Sequence, residues 1–479
     1  MNKMKTLAGE TALYGLGSII PRMLNFFLVV LHTRIFLPAD YGIYINLYAW
    51  VAFLNVIYLF GMETAYFRFA TKEGADEQKI FRVVQTFVLI ISLMLSLLII
   101  AFAFPIAQKF NLPGHADFVV WLAVLMFVDA AVSIPFARLR LQKKAGKFAV
   151  AKLANVTIQV GLNLYFLLVA FDSSMGIGYI ILANLIANLF YLLFFSKTLA
   201  SWRPAWDKQL FTLMFPYAYP VMLTGLAGMT NEMFSRITLE RWLPENFYPG
   251  KSSAYALGVF GACFRFSVIM SLAVQAFRFA AEPFFFSNSN NKNSPALFAK
   301  ANHYFTIVCC FILLGVVVNL DILKYLLNEP YWEGLGIVPI LLIGYMFLGM
   351  YYNFSVWFKL TDKTYYGTFI TAAGAILTIV LNFLLIPRFG YLGSSWATLL
   401  CYLVMAISCY GLGQKHFPIP YRIVAGLGYL VFTLSLIQLS QLVTIPNFSL
   451  SIIFHLLLML IFVAVAYWRE KKYWNSPVD

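Results

Sequence analysis

Three arginines stand inside stretches otherwise too apolar to carry them: Arg22, Arg236 and Arg265. A guanidinium is a planar fork of donors that binds phosphate or carboxylate in pairs of charge-assisted hydrogen bonds. Arginines converging from different helices would therefore suit a pyrophosphate. Arg22 has company, since Gly15, Ser18, Arg22, Asn25 and His32 follow spacings of three, four, three and seven, which place them on one helix face. The remaining faces are Leu, Ile, Phe and Val. At bilayer depth a charged side chain costs about 2.5–3.5 kcal/mol on insertion scales, so this stripe must meet protein or water. Pro21 beside it lacks a backbone donor and predicts a local kink. The alternative is an arginine paired structurally to a neighbouring helix.

The same theme returns later. Glu232 and Arg236 are four residues apart, acid before base, with Gly228, Asn231 and Ser235 close by. That order suits an intrahelical ion pair, which would either neutralise itself or contribute to an anion site. Gly258 and Gly261 precede Arg265. Asp129, in Val128-Asp129-Ala130-Ala131, has no charged neighbour in sequence. A buried carboxylate takes up a proton more readily than an exposed one, so Asp129 and Glu232 are the candidates for ion coupling. Against this, Asp129 is equally read as an acid neutralised by an adjacent helix. Glu63 and Arg68 read as residues near a helix end. Asn155, Gln159 and Asn163, and also Asn184 and Asn188, recur every fourth residue. Such amides ordinarily hold membrane helices together. Tyr217, Tyr219 and Phe215 are aromatics that could stack on sugars, though lipid-facing aromatics are the default.

These residues need elements to position them, and composition says which. The chain has 479 residues, 61% hydrophobic, 18% aromatic and 11% charged, with mean hydropathy +0.79. A soluble domain carries roughly 25% charged residues, so a water-soluble enzyme is excluded, and a disordered chain needs the opposite balance. A spanning helix takes roughly 20 mainly apolar residues. Fourteen segments qualify: 9–36, 41–68, 80–108, 117–141, 148–171, 176–199, 209–238, 253–283, 298–327, 333–358, 364–387, 391–413, 421–441 and 448–468. The first is too long for a cleavable leader and contains Arg22. Alternation of polar and apolar residues does not dominate, which argues against a transmembrane β-barrel. Connections are short, leaving no room for a folded extramembrane domain.

Charge then orients the segments. With the N-terminus in the cytoplasm, inner connections hold 25 Lys and Arg and outer ones 6, with three inside helices. This bias follows the positive-inside rule, and missing one helix would scramble it downstream. The net charge of +14 is thus membrane topology, with no nucleic-acid partner implied. The basic run Arg138–Lys152 reads as topology-setting and attractive to anionic lipids. The five cysteines, Cys263, Cys309, Cys310, Cys401 and Cys409, lie in apolar runs without metal-ligand spacing and read as buried thiols.

A repeat is also legible. Leu139-Arg140-Leu141-Gln142-Lys143-Lys144 precedes a helix with Leu162-Asn163, and Phe358-Lys359-Leu360-Thr361-Asp362-Lys363 precedes one with Leu381-Asn382, both at an offset of 219. Phe36-Leu37-Pro38-Ala39-Asp40-Tyr41 resembles Trp242-Leu243-Pro244-Glu245-Asn246-Phe247 at offset 206. The expected fold is an all-α polytopic membrane protein. Its lobe of helices 1–6 (residues 1–205) is duplicated in parallel as helices 7–12 (206–416), followed by helices 13–14 and a tail (417–479). Two like lobes facing each other enclose a cleft suited to alternating access.

With these features the chain resembles the multidrug/oligosaccharidyl-lipid/polysaccharide exporter superfamily, and within it the bacterial polysaccharide transport family of Wzx-type flippases. The resemblance rests on the 6+6+2 arrangement, the opening Thr11–Pro38 helix, the Leu37-Pro38-Ala39-Asp40-Tyr41-Gly42 turn and the Phe389-Gly390-Tyr391-Leu392-Gly393-Ser394 turn. It implies a multi-pass inner-membrane protein that moves an undecaprenyl-pyrophosphate-linked sugar unit between leaflets, its lipid tail remaining in the bilayer along helices 13–14. Membrane lipids and polysaccharide polymerase machinery are the implied partners. On this reading Arg22, Asn25, Arg236 and Arg265 bind the headgroup, and Asp129 or Glu232 couples transport to an ion. No catalytic residue, metal or cofactor is assigned. The sequence has no G-x-x-x-x-G-K-[ST], H-E-x-x-H or G-x-S-x-G motif, so H+, Na+, the membrane potential or product consumption supplies the drive. The rival readings are a cation-coupled drug exporter, which should present carboxylates to its substrate, a membrane enzyme of polysaccharide assembly, and a scaffold without transport activity.

Overall fold

Long apolar segments in a medium without water must satisfy their backbone groups internally, and the helix does so within one segment. The computed structural model describes residues 2–288, 293–443, 445 and 447–474, and among these no residue is in a strand. The helices, in order, are α1 (Asn2–Ile35), α2 (Pro38–Leu59), α3 (Glu77–Ala101), α4 (Ala116–Leu141), α5 (Ala145–Leu168), α6 (Gly178–Phe194), α7 (Lys208–Trp242), α8 (Ser253–Ser287), α9 (Ser294–Val318) and α10 (Ile337–Phe354). Tyr365–His416 follows, then α13 (Ile423–Leu442) and α14 (Phe448–Trp474). Gly390, at φ 57° and ψ −134°, divides Tyr365–His416 into α11 (365–389) and α12 (391–416). That backbone region is essentially reserved for glycine. Short helices, including Met62–Ala70 and Ser196–Ala200, extend the ends.

Each of the fourteen predicted segments falls on a helix, a set compatible with fourteen crossings. Among the described residues eleven helices are by themselves long and apolar enough to span, one of them Tyr365–His416 with its kink, and α6 is a shorter apolar helix. α1 runs as one helix with Pro21 inside it. Asp207 sits just before α7 and accepts the backbone N–H of Leu210 at 2.9 Å, an N-cap. It also pairs with Lys79 at 2.6 Å. These bonds, the backbone one first, hold its carboxyl below the ordinary range.

The chain divides into two compact units, residues 1–241 with 248–258, and 242–247 with 259–479. Helix α7 therefore packs with the first unit, although the repeat groups it with the second lobe. In the first unit α1 lies along α5, α3 along α4, and α4 along α6. Val132, Phe136, Phe148, Ala151, Tyr191 and Phe195 form a core at one end of α4, α5 and α6. The beginnings of α2 and α8 touch through bare backbone. A Cβ on Gly42 would lie 1.9 Å from the Ala254 carbonyl oxygen, and one on Gly258 1.8 Å from that of Pro38. In the second unit α10 packs on Tyr365–His416, and α9 meets α10, α13 and α14. Large apolar residues such as Leu168, Phe369 and Leu460 are exposed, as helices bathed in lipid allow.

The repeat appears in the backbone. Lys143 and Asp362, at the 219-residue offset, both take φ 55°. The N–H of Lys144 donates to the Leu139 carbonyl at 2.9 Å, and that of Lys363 to the Phe358 carbonyl at 2.9 Å. Asn163 and Asn382 each donate their side-chain amide to the carbonyl four residues back, Gln159 and Thr378, at 2.8 Å. The match at offset 206 is looser: Pro38 opens a helix, whereas Pro244 opens a turn closed by the Phe247 N–H.

Candidate functional site

The richest polar constellation lies among α2, α4, α5 and α6 of the first unit. Asp129, Ser133, Phe136 and Arg140 follow spacings of four, three and four along α4, which stacks them on one face. They line a cavity of about 380 Å³ with Asn55, Glu63, Phe148, Lys152 and Tyr191. Lys152 is seven residues into α5, roughly 10 Å along the axis at 1.5 Å per residue. It belongs to the helix interior, not to the connecting segment in which the charge count places it. It heads the polar stripe continued by Asn155, Gln159 and Asn163.

Each charge here has a physical reason to be tolerated. Asp129 Oδ1 accepts the Asn188 amide at 2.8 Å. Asn188 Oδ1 in turn accepts the Asn155 amide at 3.0 Å, and the same amide also donates to the Ala187 carbonyl at 2.7 Å. Arg140 is paired with Glu63 and its guanidinium lies 5.0 Å from the Phe67 ring centroid. The Lys152 ammonium lies 4.3 Å from the centroid of Phe136 and 5.0 Å from that of Tyr191. Aromatic faces compensate a cation where water is scarce. Among the described residues Lys152 closes no ion pair. Two acids and two bases balance, so one proton or cation added at Asp129 would leave this cavity with a net positive charge. That is the property an ion-responsive site requires.

The predicted site residues are placed as follows. Arg22 is exposed on α1, and Asn25, one turn on, is partly buried with its Oδ1 sequestered and unbonded. His32, on the same stripe, is buried, its Nε2 2.9 Å from Asn163 Oδ1 of α5. The stripe thus ends in helix packing. The surroundings of Gly15 and of the Ser18 side chain lie outside what the structure describes. Arg236 is partly buried on α7, with Met233 Sδ against its guanidinium. Glu232 is exposed, and the intrahelical pair with Arg236 is absent among the described residues. Arg265 is partly buried on the second-unit part of α8. Arg68 is exposed over the Tyr217 ring at 4.2 Å. Of these candidates only Asp129 enters the charged cavity. Lys152, Glu63 and Arg140, its companions, were not picked out as site residues. The four-three-four spacing on α4 and the continuity of the α5 stripe were the signals available for Arg140 and Lys152.

The second unit holds a further constellation that the sequence does not announce. Glu470 of α14 is buried, as is His303 of α9. Glu470 lies 3.0 Å from His303 Nε2, accepts the Tyr429 hydroxyl at 2.8 Å and meets Arg422 at 3.5 Å. The Tyr429 and Arg422 hydrogen bonds and the close approach of His303 meet at one carboxylate, which links α9, α13 and α14.

Comparisons with known proteins agree with this architecture. Residues 31–244 match a family model described as "Polysaccharide biosynthesis protein". No curated protein sequence matches the chain. Among solved structures, the lipid II flippase MurJ in an inward closed conformation aligns over 95% of this chain and 99% of its own, at TM-score 0.75 and 15% identity. An inward-facing multidrug resistance MATE family transporter of the MOP superfamily aligns over 87% and 96%, at TM-score 0.61 and 14% identity. An outward-facing one aligns over 88% and 96%, at 0.56 and 16%. The class is therefore a multi-pass helical membrane protein with a fold like that of the MurJ flippase and the MATE transporters. Within that class, residues 31–244 are similar to a polysaccharide biosynthesis family.

Proposed function

We propose that the protein is a flippase for an undecaprenyl-pyrophosphate-linked oligosaccharide, an O-antigen, capsule or exopolysaccharide unit, in the bacterial inner membrane with both termini in the cytoplasm. The observation that carries this reading is a polysaccharide-biosynthesis match at residues 31–244 on a flippase fold. The arginines support it: Arg22, Arg236 and Arg265 suit a pyrophosphate and would repel an organic cation. In the proposed cycle the headgroup enters a cationic central cavity lined by these arginines and Asn25. The lobes rock to the other face, and the lipid tail stays in the bilayer. Asp129, in its charge-balanced cavity, couples the rocking to H+ or Na+, and Glu232, which is exposed, is the weaker candidate. The polymerase machinery is the proposed downstream partner. The multidrug exporters of like fold set the alternative.

The test is reconstitution in liposomes with a pyrophosphate-linked oligosaccharide lipid, using an organic cation as the competing cargo. The lipid is expected to be flipped and the cation not carried. Replacing Arg22, Arg236 or Arg265 by Ala should slow flipping by about 10- to 100-fold, the worth of a lost charge-assisted interaction of roughly 1.5–3 kcal/mol. Asp129→Asn should leave folding intact, because Asn still accepts the Asn188 amide, while removing the response to an imposed ion gradient. Cation transport together with undiminished arginine variants would overturn the proposal.

A further inference from the structure

The first unit has a second concavity, away from the charged cavity, where α4 ends, α5 begins and Ser196–Ala200 follows α6. Its volume is about 690 Å³, and Arg138, Gln142, Lys144, Lys147 and Lys197 stand around it. Lys144, Lys147 and Lys197 are exposed. Among the described lining residues none is acidic. Arg138 is engaged by Glu77 at 2.9 Å, and Lys144 donates to Gln142 Oε1 at 2.7 Å, so the uncompensated charge is that of the three lysines. Lys144 is also the N-cap of α5, and its side chain caps nothing. No side chain caps the first turn of this 24-residue helix, and helix N-termini favour anions. A Cβ on Gly146, which lines the pocket, would meet nothing within 4 Å.

The wall of the pocket is of the opposite character. Leu139, Val150, Phe194 and Phe195 line it. Val150, one turn deeper than Lys147, is 61% exposed, and the nearby Leu193 is 74% exposed. The site thus joins a cationic rim to an apolar flank at the end of three spanning helices. A soluble phosphate would use only the rim. A molecule with an anionic phosphate head and acyl chains uses both. Sequence alone places the Arg138–Lys152 cations in one run; folding adds Lys197 from the far end of α6 and the phenylalanine wall.

We infer that this pocket binds the headgroup of an anionic glycerophospholipid from the leaflet that surrounds it, with an acyl chain along Val150 and Phe194. Basic pockets between helices at a membrane surface attract such headgroups, at about a few-fold to tenfold in affinity per charge.

The experiment is native mass spectrometry of the full-length protein, released from nanodiscs holding equal phosphatidylglycerol and phosphatidylcholine, with and without excess inorganic phosphate. The wild type is expected to retain phosphatidylglycerol in preference to phosphatidylcholine by roughly tenfold or more. The triple variant Lys144→Gln, Lys147→Gln, Lys197→Gln should retain the two lipids equally. A control triple, Lys72→Gln, Lys208→Gln, Lys415→Gln, removes the same charge elsewhere and should keep the preference. Thermal unfolding of each variant verifies that it is folded. Retained preference in the pocket triple would overturn the inference, as would equal loss in the control, which would point to diffuse charge. Phosphate binding without lipid preference would likewise overturn it.

Discussion

A carboxylate among apolar helices needs partners, and Asp129 and Glu470 meet that need differently. Glu470 accepts from Tyr429 and Arg422 and lies against His303. Asp129 has one amide, from Asn188, and shares its cavity with the cation of Lys152. The saturated group is suited to fastening helices, and the less satisfied one to exchanging an ion. Glu470→Ala would leave the buried Tyr429 hydroxyl without its acceptor, and a buried donor left unsatisfied costs about 1–3 kcal/mol. A clear fall in the thermal unfolding temperature is expected, and an unchanged one would show that the cluster is not a fastener. At this scale the sequence exposed Asp129, because a lone acid in an apolar run is conspicuous. It concealed Lys152, Glu63 and Arg140, because near helix ends such residues resemble ordinary interfacial charges. It also suggested a Glu232–Arg236 pair, which is not among the ion pairs of the described residues. An i, i+4 spacing permits a pair, and the rotamers each residue adopts against its own neighbours decide whether it closes.

Helices are positioned by where their backbones can approach. At the α2–α8 crossing, Gly42 and Gly258 bring main chain against main chain, a packing mode that small residues permit in membranes. Gly258→Ala forces its new methyl onto the Pro38 carbonyl, and overpacking of this kind costs typically about 1–3 kcal/mol. Gly228→Ala in α7, where a Cβ meets nothing within 4 Å, should be neutral or stabilising by about 0.5–1 kcal/mol through helix propensity. Chemical or thermal unfolding of the two variants in one detergent checks the contrast; equal effects would refute the crossing. The repeat was readable at this scale because a helix end is a local motif. The positive φ at Lys143 and Asp362, and the shared hydrogen bond closing each turn, depend on residues within six positions of one another.

Over the whole molecule, the charge bias predicts a sidedness that labelling can read. All five native cysteines are buried, so exposed introduced cysteines would dominate the signal. A membrane-impermeant thiol reagent applied from outside is expected to modify Ser174→Cys, in the connection after α5, and to spare Ser201→Cys, in the one after Ser196–Ala200. The reverse pattern, or modification of both, would overturn the proposed orientation. The division into units shows the limit of the repeat as a guide to packing. Their place in the chain order groups residues 208–241 with the second lobe, and they cohere with the first unit, because a helix packs according to the surfaces it meets.

What the sequence determined by itself was the solvent, the helices and their alternation. Those follow from hydropathy summed over some 20 residues and from charges that the bilayer sorts by side. Tertiary structure alone decided which polar side chains share a cavity. It brought Asp129 to Lys152 from a neighbouring helix, sent His32 into a contact with Asn163, and gathered Lys144, Lys147 and Lys197 around one pocket. A helix face shows which residues point together, but what they point at depends on the rotation and contact of other helices. No local pattern in the chain encodes that.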